Sequence, residues 1–482
     1  MQPRKLATLL LIAVLLAMLY VAWRARLRIH IGEDFALARR RLPAALAGVG
    51  MAVNCVPLWF LLALASYAQS TGAAALWLAL ACLAGLIVNG WFVAPRLRTL
   101  ASGSLTLSQW FAATAGERLQ GVTLRSAAAI VTCTLGLTTA TLLQWSAASL
   151  STAMSSSFVL MAVMLAASLF VLIWFGGLWS ASILDMVQAG AVLLMFAVLA
   201  PFAVVAAGGI GGVASGLAER SQLKGIWFGG YEGVLAIALL VGVSFAAFGS
   251  VAQPHATTRY LACKDDVSWQ KARWLALGWG TLALLGALSI GWCARVLFKG
   301  ELSGQQLLPR LLGETTPEML AAALTACLVF ALIAACASPW IAATTHIATD
   351  LSRTPQAPSL TWFYSALALV FVAVLAAAVY LPRGGEDRLW LCWHALNSAF
   401  GPLLLVRLSG KRVRAGSSLG AMWSGFLLTV VFHMMPDTPG DLLERSLPFI
   451  AAMGIALSGG ERRRNPDRAD RGERTVHDHL PI

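Results

Sequence analysis

Between Leu6 and Gly459 about thirteen long apolar runs alternate with short polar breaks, and Lys and Arg concentrate in every second break. A crossing of the hydrocarbon takes roughly 20 mostly apolar residues, which Ala44–Ala65, Ala73–Val93, Met154–Trp174 and Ile183–Ala207 each supply. The break after the first run, WRARLRIHIGEDFALARRR, carries Arg24, Arg26, Arg28, Arg39, Arg40 and Arg41, whereas the next, YAQSTGAA, has no charge. Basic loops stay inside, and the alternation continues: Arg96 and Arg98 inside, SAASLSTAMSS outside, Arg259, Lys264, Lys271 and Arg273 inside, Lys411, Arg412 and Arg414 inside. An odd number of spans with the N-terminus outside and the C-terminus cytoplasmic satisfies these loops together. The expectation is an all-α polytopic protein of a plasma membrane of the bacterial inner-membrane type.

With 59% hydrophobic and 12% charged residues and a mean hydropathy of +0.75, the chain has too little polar surface for a water-soluble globule. Its formal charge of +13 is carried by basic loops that meet anionic lipid, so the bilayer is the expected partner and nucleic acid is not. The eight cysteines form no CxxC pair and read as small buried hydrophobes, with no metal site among them. The first run reads as a retained span, because the segment after it is the most basic in the chain. No polar break is long enough for a second folded domain. Residues 1–460 therefore read as one membrane domain and 461–482 as a basic, disordered cytoplasmic tail, whose His477-Asp478-His479 reads as solvated. GGIGGVASG at Gly208–Gly216 lacks the Gly-Lys-Ser/Thr of a phosphate loop and reads as a flexible outer loop. With no nucleophile–histidine–acid grouping in sequence, an enzyme is the weakest reading.

Carriers expose backbone polar groups at mid-depth where helices break. In MAVNCVPLWF, Pro57 sits mid-span behind Asn54 and frees carbonyls near Val53 and Asn54; the alternative is an ordinary proline kink. A second break is expected in GVSFAAFGSVAQPH, five spans later, where Gly242, Gly249, Ser250 and Pro254 cluster. Two interrupted segments at corresponding places in two halves point to an inverted-repeat transporter.

Several blocks resemble the sodium/solute symporter family, most closely its proline carriers. They are EDFALARRRLP with Arg40, WFGGLWSASILDMVQAG with Asp185 and Gln188, AQPHATTRY with Gln253, Pro254, His255 and Arg259, ATTHIATDLSR with Asp350, and AFGPLLLVRLSGKRVRAGSSLGAM. The resemblance implies thirteen spans with a five-plus-five inverted-repeat core over about residues 44–408, and scaffold or gating roles for Arg40, Asp185 and Arg259. It implies a sodium site of three main-chain carbonyls at Val53, Val56 and Ala331 and two hydroxyls. The hydroxyl positions hold Ala334 and Ala335, and the acidic residue of the broken second span is replaced by Cys55. A hard cation needs oxygen ligands, which a methyl or thiol does not provide, so Asn54 and Ser338 are the remaining local oxygen donors. Substrate contact is implied for Trp59, Asn54, Gln253 and Pro254, with Thr138, Ala246 and Ser250 standing where the proline carriers have aromatic side chains.

Asp185, Glu232 and Asp350 read as span-end residues that snorkel to water, and His346 and His394 as isolated, hydrogen-bonded histidines, leaving no proton relay. The expected function is a secondary transporter of a small organic solute with weak or absent sodium coupling and no other cofactor. The alternative is a non-transporting sensor or partner subunit on the same fold, which requires a protein partner.

Overall fold

The computed structural model describes residues 3–113, 117–219, 226–352 and 358–462, and the tail beyond Arg462 lies outside them. Helix α1 (Pro3–Ala25) is followed by the short α2 (Gly32–Leu37), then by α3 (Ala44–Cys55) and α4 (Leu58–Thr71), which share one apolar run. Next come α5 (Ala75–Ile87), a π-helical turn at Val88–Val93, α6 (Ala94–Leu100), α7 (Leu107–Ala112), α8 (Glu117–Met154) and α9 (Phe158–Ala206). After α10 (Gly209–Glu219) follow α11 (Val234–Phe248), α12 (Pro254–Ala262), α13 (Asp266–Leu297) and α14 (Gly304–Thr315). The remainder is α15 (Glu318–Ala335), α16 (Ala337–Asp350), α17 (Leu360–Tyr380), α18 (Glu386–Leu408), α19 (Ala415–His433) and α20 (Leu442–Ser458). Strands β1 (Lys411–Val413) and β2 (Gly460–Arg462) pair antiparallel with Lys411 opposite Arg462, so Glu461 and Arg462 belong to the folded unit. Among the described residues eight helical segments are long and apolar enough to cross a membrane.

The breaks have identifiable causes. Between α3 and α4, Val56 leaves helical geometry (φ −129°, ψ 70°) and Pro57 is extended (φ −67°, ψ 160°), because proline removes an amide and clashes with the preceding turn. The stretch 249–253 separates α11 from α12, which opens on Pro254 at its first turn, where a missing amide costs nothing. A third break, at Cys336, separates α15 from α16; Pro339 lacks the amide that would bond the Ala335 carbonyl. Helix α9, of 49 residues, would run about 74 Å if straight, more than twice the hydrocarbon thickness. It divides at Gly177 (φ 46°, ψ −135°), a conformation closed to L side chains.

Small residues let the helices approach closely. A side chain at Gly48 would strike the Ala272 backbone of α13, one at Gly291 the Ala65 backbone of α4, and one at Gly425 the Ser398 backbone of α18. Large apolar side chains such as Leu282, Leu369 and Leu427 stay exposed, as a lipid-facing perimeter requires.

Three expectations are corrected here. Gly208–Gly216 is not a flexible loop but forms most of α10, because it packs on α13, where Gly216 abuts Val296; tertiary contact overrides the poor helix propensity of glycine. Asp185 and Asp350 do not snorkel: both are buried, at 1% and 3% exposure, held by partners inside the bundle. Glu232 is exposed.

Gly177→Ala should destabilise the protein by about 1–3 kcal/mol, since a Cβ would lie 2.8 Å from the Phe35 carbonyl oxygen in a left-handed backbone. Gly278→Ala, with open space around its Cβ, should be neutral or slightly stabilising. Melting temperatures of the purified variants check both; equal values would remove the strain argument.

Candidate functional site

The interrupted helices bring free carbonyls and buried charges to one place. Val56 donates its amide to the Ala52 carbonyl (2.8 Å), and Phe60 and Leu61 donate to Pro57 (2.9 and 3.1 Å). The Val53 carbonyl, whose helical partner would be the amide of residue 57, has none there because that residue is proline.

Directly behind this break lies a buried ion pair. The Arg259 guanidinium of α12 donates from Nη2 (2.7 Å) and Nε (2.9 Å) to Asp185 Oδ2 of α9. Asn54 of α3 donates its Nδ2 to the same oxygen (3.0 Å) and to the Gly50 carbonyl (2.6 Å). Ser338, in the first turn of α16, donates to Asp185 Oδ1 (2.9 Å) and accepts from Arg259 Nη2. Four elements, three of them halves of broken helices, thus converge on one carboxylate. Ser338 is engaged by it through its hydroxyl and Asn54 through its Nδ2, whereas Oε1 of the cavity-lining Gln188 has no hydrogen-bond partner.

In front of the pair is a cavity lined by Val53, Asn54 and Trp59 from the second-span region, Thr138 and Leu142 from α8, and Asp185 and Gln188 from α9. His255, Ala335 and Pro339 complete it. Its free volume is about 20 Å³, room for about one water and too little for an organic solute. Trp59 forms a wall with Trp390 and Trp393 of α18, at centroid distances of 5.2 and 5.7 Å and near-perpendicular angles.

The residues singled out from the sequence divide into three groups. Trp59, Asn54, Thr138 and the carbonyl position Val53 line the cavity, and Ala335 presents a methyl to it. Gln253, Ser250 and Pro254 are buried one layer back: Gln253 Nε2 donates to the carbonyls of Gly249 (2.9 Å) and Trp393 (3.1 Å), and Asn89 donates to Ser250 (3.1 Å). Cys55, Val56, Ala331 and Ala334 are buried, and the Cys55 thiol accepts from Asn89 Nδ2 (3.5 Å). Arg40 stands apart, donating to the carbonyls of Ser104 (2.8 Å) and Leu261 and facing Glu33 at 3.4 Å; burial pulls its guanidinium below the ordinary value against the opposing influence of Glu33. It ties the segment before α3 to the end of α12.

Gln188 and His255 are lining residues to which the sequence assigned no contact. Their spacing was the signal: Gln188 is three residues after Asp185 on α9, and His255 four before Arg259 on α12, so each continues the face that carries the ion pair. Leu142 and Pro339 carried no such signal.

The profile of the sodium:solute symporter family matches residues 35–427. The chain belongs to the sodium:solute symporter family. Among curated relatives, the osmoregulated proline transporter OpuE of Bacillus subtilis (strain 168) is 23% identical over 434 residues, covering 86% of each chain. The sodium/proline symporter of Escherichia coli (strain K12) is 24% identical over 443 residues, covering 86% of this chain and 84% of the relative. Among solved structures, a Na+-coupled sialic acid symporter in a substrate-bound outward-open state superposes with a TM-score of 0.76 at 16% identity, over 95% of this chain and 99% of that one. The nucleobase-cation-symport-1 family transporter MHP1 gives 0.58 at 13% identity, over 88% and 92%. The fold is therefore the all-α, inverted-repeat transporter fold, and the protein is an integral membrane secondary transporter of a small solute, not an enzyme.

Removing one partner of a buried pair strands the other charge, at a cost of about 3–5 kcal/mol, whereas replacing both with apolar groups restores most of it. Asp185→Ala should lower the melting temperature strongly, and Asp185→Leu with Arg259→Met should recover more than half of that loss. Additive losses in the double variant would deny the pair its structural role.

Proposed function

We propose that this member of the family carries a small organic solute with little or no dependence on sodium. The observation that carries the reading is the chemistry around the free carbonyls: Ala335 faces the cavity beside Val53, Ala334 is buried, and the Cys55 thiol is engaged by Asn89. Methyls cannot replace the hydration shell of a hard cation, the Ser338 hydroxyl is committed to Asp185, and Asn54 is fixed by the same carboxylate through its Nδ2. Exchange of sodium for potassium or choline should therefore change solute affinity by less than about threefold, a coupling free energy below about 0.7 kcal/mol. Cys55→Asp with Ala334→Ser and Ala335→Thr should introduce sodium dependence.

The curated relatives above are named for proline. Here Thr138 lines the cavity and Ser250 and Ala246 are the neighbouring positions on α11 and its end, which makes the pocket less aromatic and favours a different small organic solute over proline. Trp59, Asn54, Thr138, Gln188 and His255 are the contacts this reading assigns, with Gln253, Pro254 and Ser250 supporting them from behind. The reading takes thirteen passes, with α3–α4, α5–α6, α11–α12 and α15–α16 each counted as one, α9 as two and the short α2, α7, α10 and α14 as none, and the basic loops favour the N-terminus outside and the C-terminus in the cytoplasm.

A thermal-stabilisation screen of the purified protein in potassium, against a panel of small organic solutes that includes L-proline, tests the reading. At least one solute should raise the melting temperature in proportion to saturation, and Trp59→Ala should weaken its binding by more than about tenfold. Stabilisation that appears only in sodium would contradict it, and the absence of any responding solute in either cation would favour the non-transporting alternative. Accessibility labelling of cysteines introduced at Ser70 and Lys264 checks the orientation: opposite sides are expected, and the same side overturns it.

A further inference from the structure

Helix α16 carries polar groups at every fourth position: Ser338 on the Asp185–Arg259 pair, the Ala342 carbonyl, His346 and Asp350. Residues four apart on a helix are neighbours, roughly 5–6 Å between Cβ atoms, so His346 and Asp350 lie on one face of α16 on successive turns, with no ring nitrogen within 4.0 Å of a carboxylate oxygen. Both are buried, at 1% and 3% exposure. His346 Nδ1 lies 2.8 Å from the Ala342 carbonyl. A carbonyl only accepts, so Nδ1 bears the hydrogen, and in the neutral ring Nε2 is then a bare acceptor; it has no hydrogen-bond partner. Asp350 Oδ1 accepts from Thr106 (2.9 Å) and lies 2.8 Å from the Thr349 hydroxyl, whose one hydrogen it shares with the Thr345 carbonyl (2.8 Å); Ser108 of α7 is a further hydroxyl beside the carboxylate, and Oδ2 has no hydrogen-bond partner. Two buried acceptors on adjacent turns are thus short of one hydrogen.

The other charged and titratable groups on the elements packed against α16 are accounted for. Helix α9 offers Asp185 and α12 offers Arg259, paired with each other, and α12 adds the neutral His255 and Tyr260; α2 offers Glu33 and Asp34, paired with Arg40 and Arg39. On α8 Arg125 and Cys133 are exposed and Glu117 and Arg118 open the helix; Glu318 of α15 is exposed and the same helix carries Cys327; α17 contributes Tyr364, stacked on Trp174, and the exposed Tyr380, and α7 has no charged residue. Among the described residues Asp350 is a buried carboxylate without an ion-pair partner. Thr106, which holds it, follows Leu105, a lining residue of a separate cavity of about 540 Å³ that reaches Arg40 and Gly103.

We propose that His346 and Asp350 form a binding site for one proton, which takes the place of sodium as the cation to which this carrier couples its solute. The coupling half of the inference rests on the weak-sodium reading above. A hydronium ion gives its proton to His346 Nε2: an N–H bond forms, an O–H bond breaks and water leaves. A side-chain rotation then brings the new N–H to Asp350 Oδ2, and the pair goes from a net charge of −1 to zero, the favoured state in a low-dielectric interior. Because Ser338 in the first turn of the same helix holds Asp185, a shift of α16 on protonation reaches the solute cavity directly.

The test is nitrogen-15 NMR of histidine-labelled full-length protein in lipid nanodiscs, in sodium and separately in potassium, with His346 identified by the resonance lost in His346→Gln. Between about pH 8 and about pH 5, the range in which histidine changes charge, Nε2 of His346 should pass from bare to protonated in both cations. Asp350→Asn should abolish the downfield shift that marks a hydrogen bond to a carboxylate, while His394→Gln leaves it unchanged. Nε2 that stays bare throughout, as it would with a bridging water, overturns the site, and so does an unaltered titration in Asp350→Asn. A sodium-dependent change at His255 with the His346 titration intact overturns the weak-sodium reading and the coupling role while supporting the proton site.

Discussion

A carboxylate and a guanidinium, each almost wholly withdrawn from solvent, are held in the bundle by hydrogen bonds that reach them from several directions. Asp185 accepts from Arg259, Asn54 and Ser338, which places one charge at the junction of α3, α9, α12 and α16. Each partner sits next to an irregularity: Asn54 precedes the Pro57 break, Asp185 follows Gly177, Arg259 follows the gap before Pro254, and Ser338 follows Cys336. The pair therefore fixes the relative position of helix ends that no continuous hydrogen-bond ladder holds. The cavity, the free carbonyls and the tryptophan wall all take their places from it.

That arrangement also bears on ion use. Broken helices provide carbonyl oxygens whatever the side chains are, so on the proposed reading only the backbone half of a cation site remains. The side-chain half is changed to methyls and a thiol, and the nearby amide and hydroxyl are tied to Asp185. On α16 the chain instead holds a histidine and a carboxylate that share a shortage of donors. The same helix carries Ser338 and so links the two regions mechanically.

The fold was legible from hydropathy, loop charge and proline placement, because those signals act locally and survive low identity. The breaks at Pro57 and before Pro254 were readable for that reason, and the break at Cys336 left a trace in Pro339. Burial of Asp185 and Asp350 was not readable. A charge inside an apolar run looks like the end of a span, and only the division of α9 at Gly177 and the packing of α16 show that both lie within the bundle. The helical state of α10 was hidden by its glycines, whose propensity is overridden by contact with α13. Gln188 and His255 were visible as motif members but not as cavity-lining groups, since that depends on how three separate helices meet.

Equilibrium binding of radiolabelled sodium to the purified full-length protein is the most direct measurement. The account predicts no saturable binding in the concentration range in which the protein binds its solute, with or without solute present. Saturable binding that competing unlabelled sodium displaces and that solute strengthens would contradict it, placing a sodium site on backbone oxygens despite Ala334, Ala335 and Cys55.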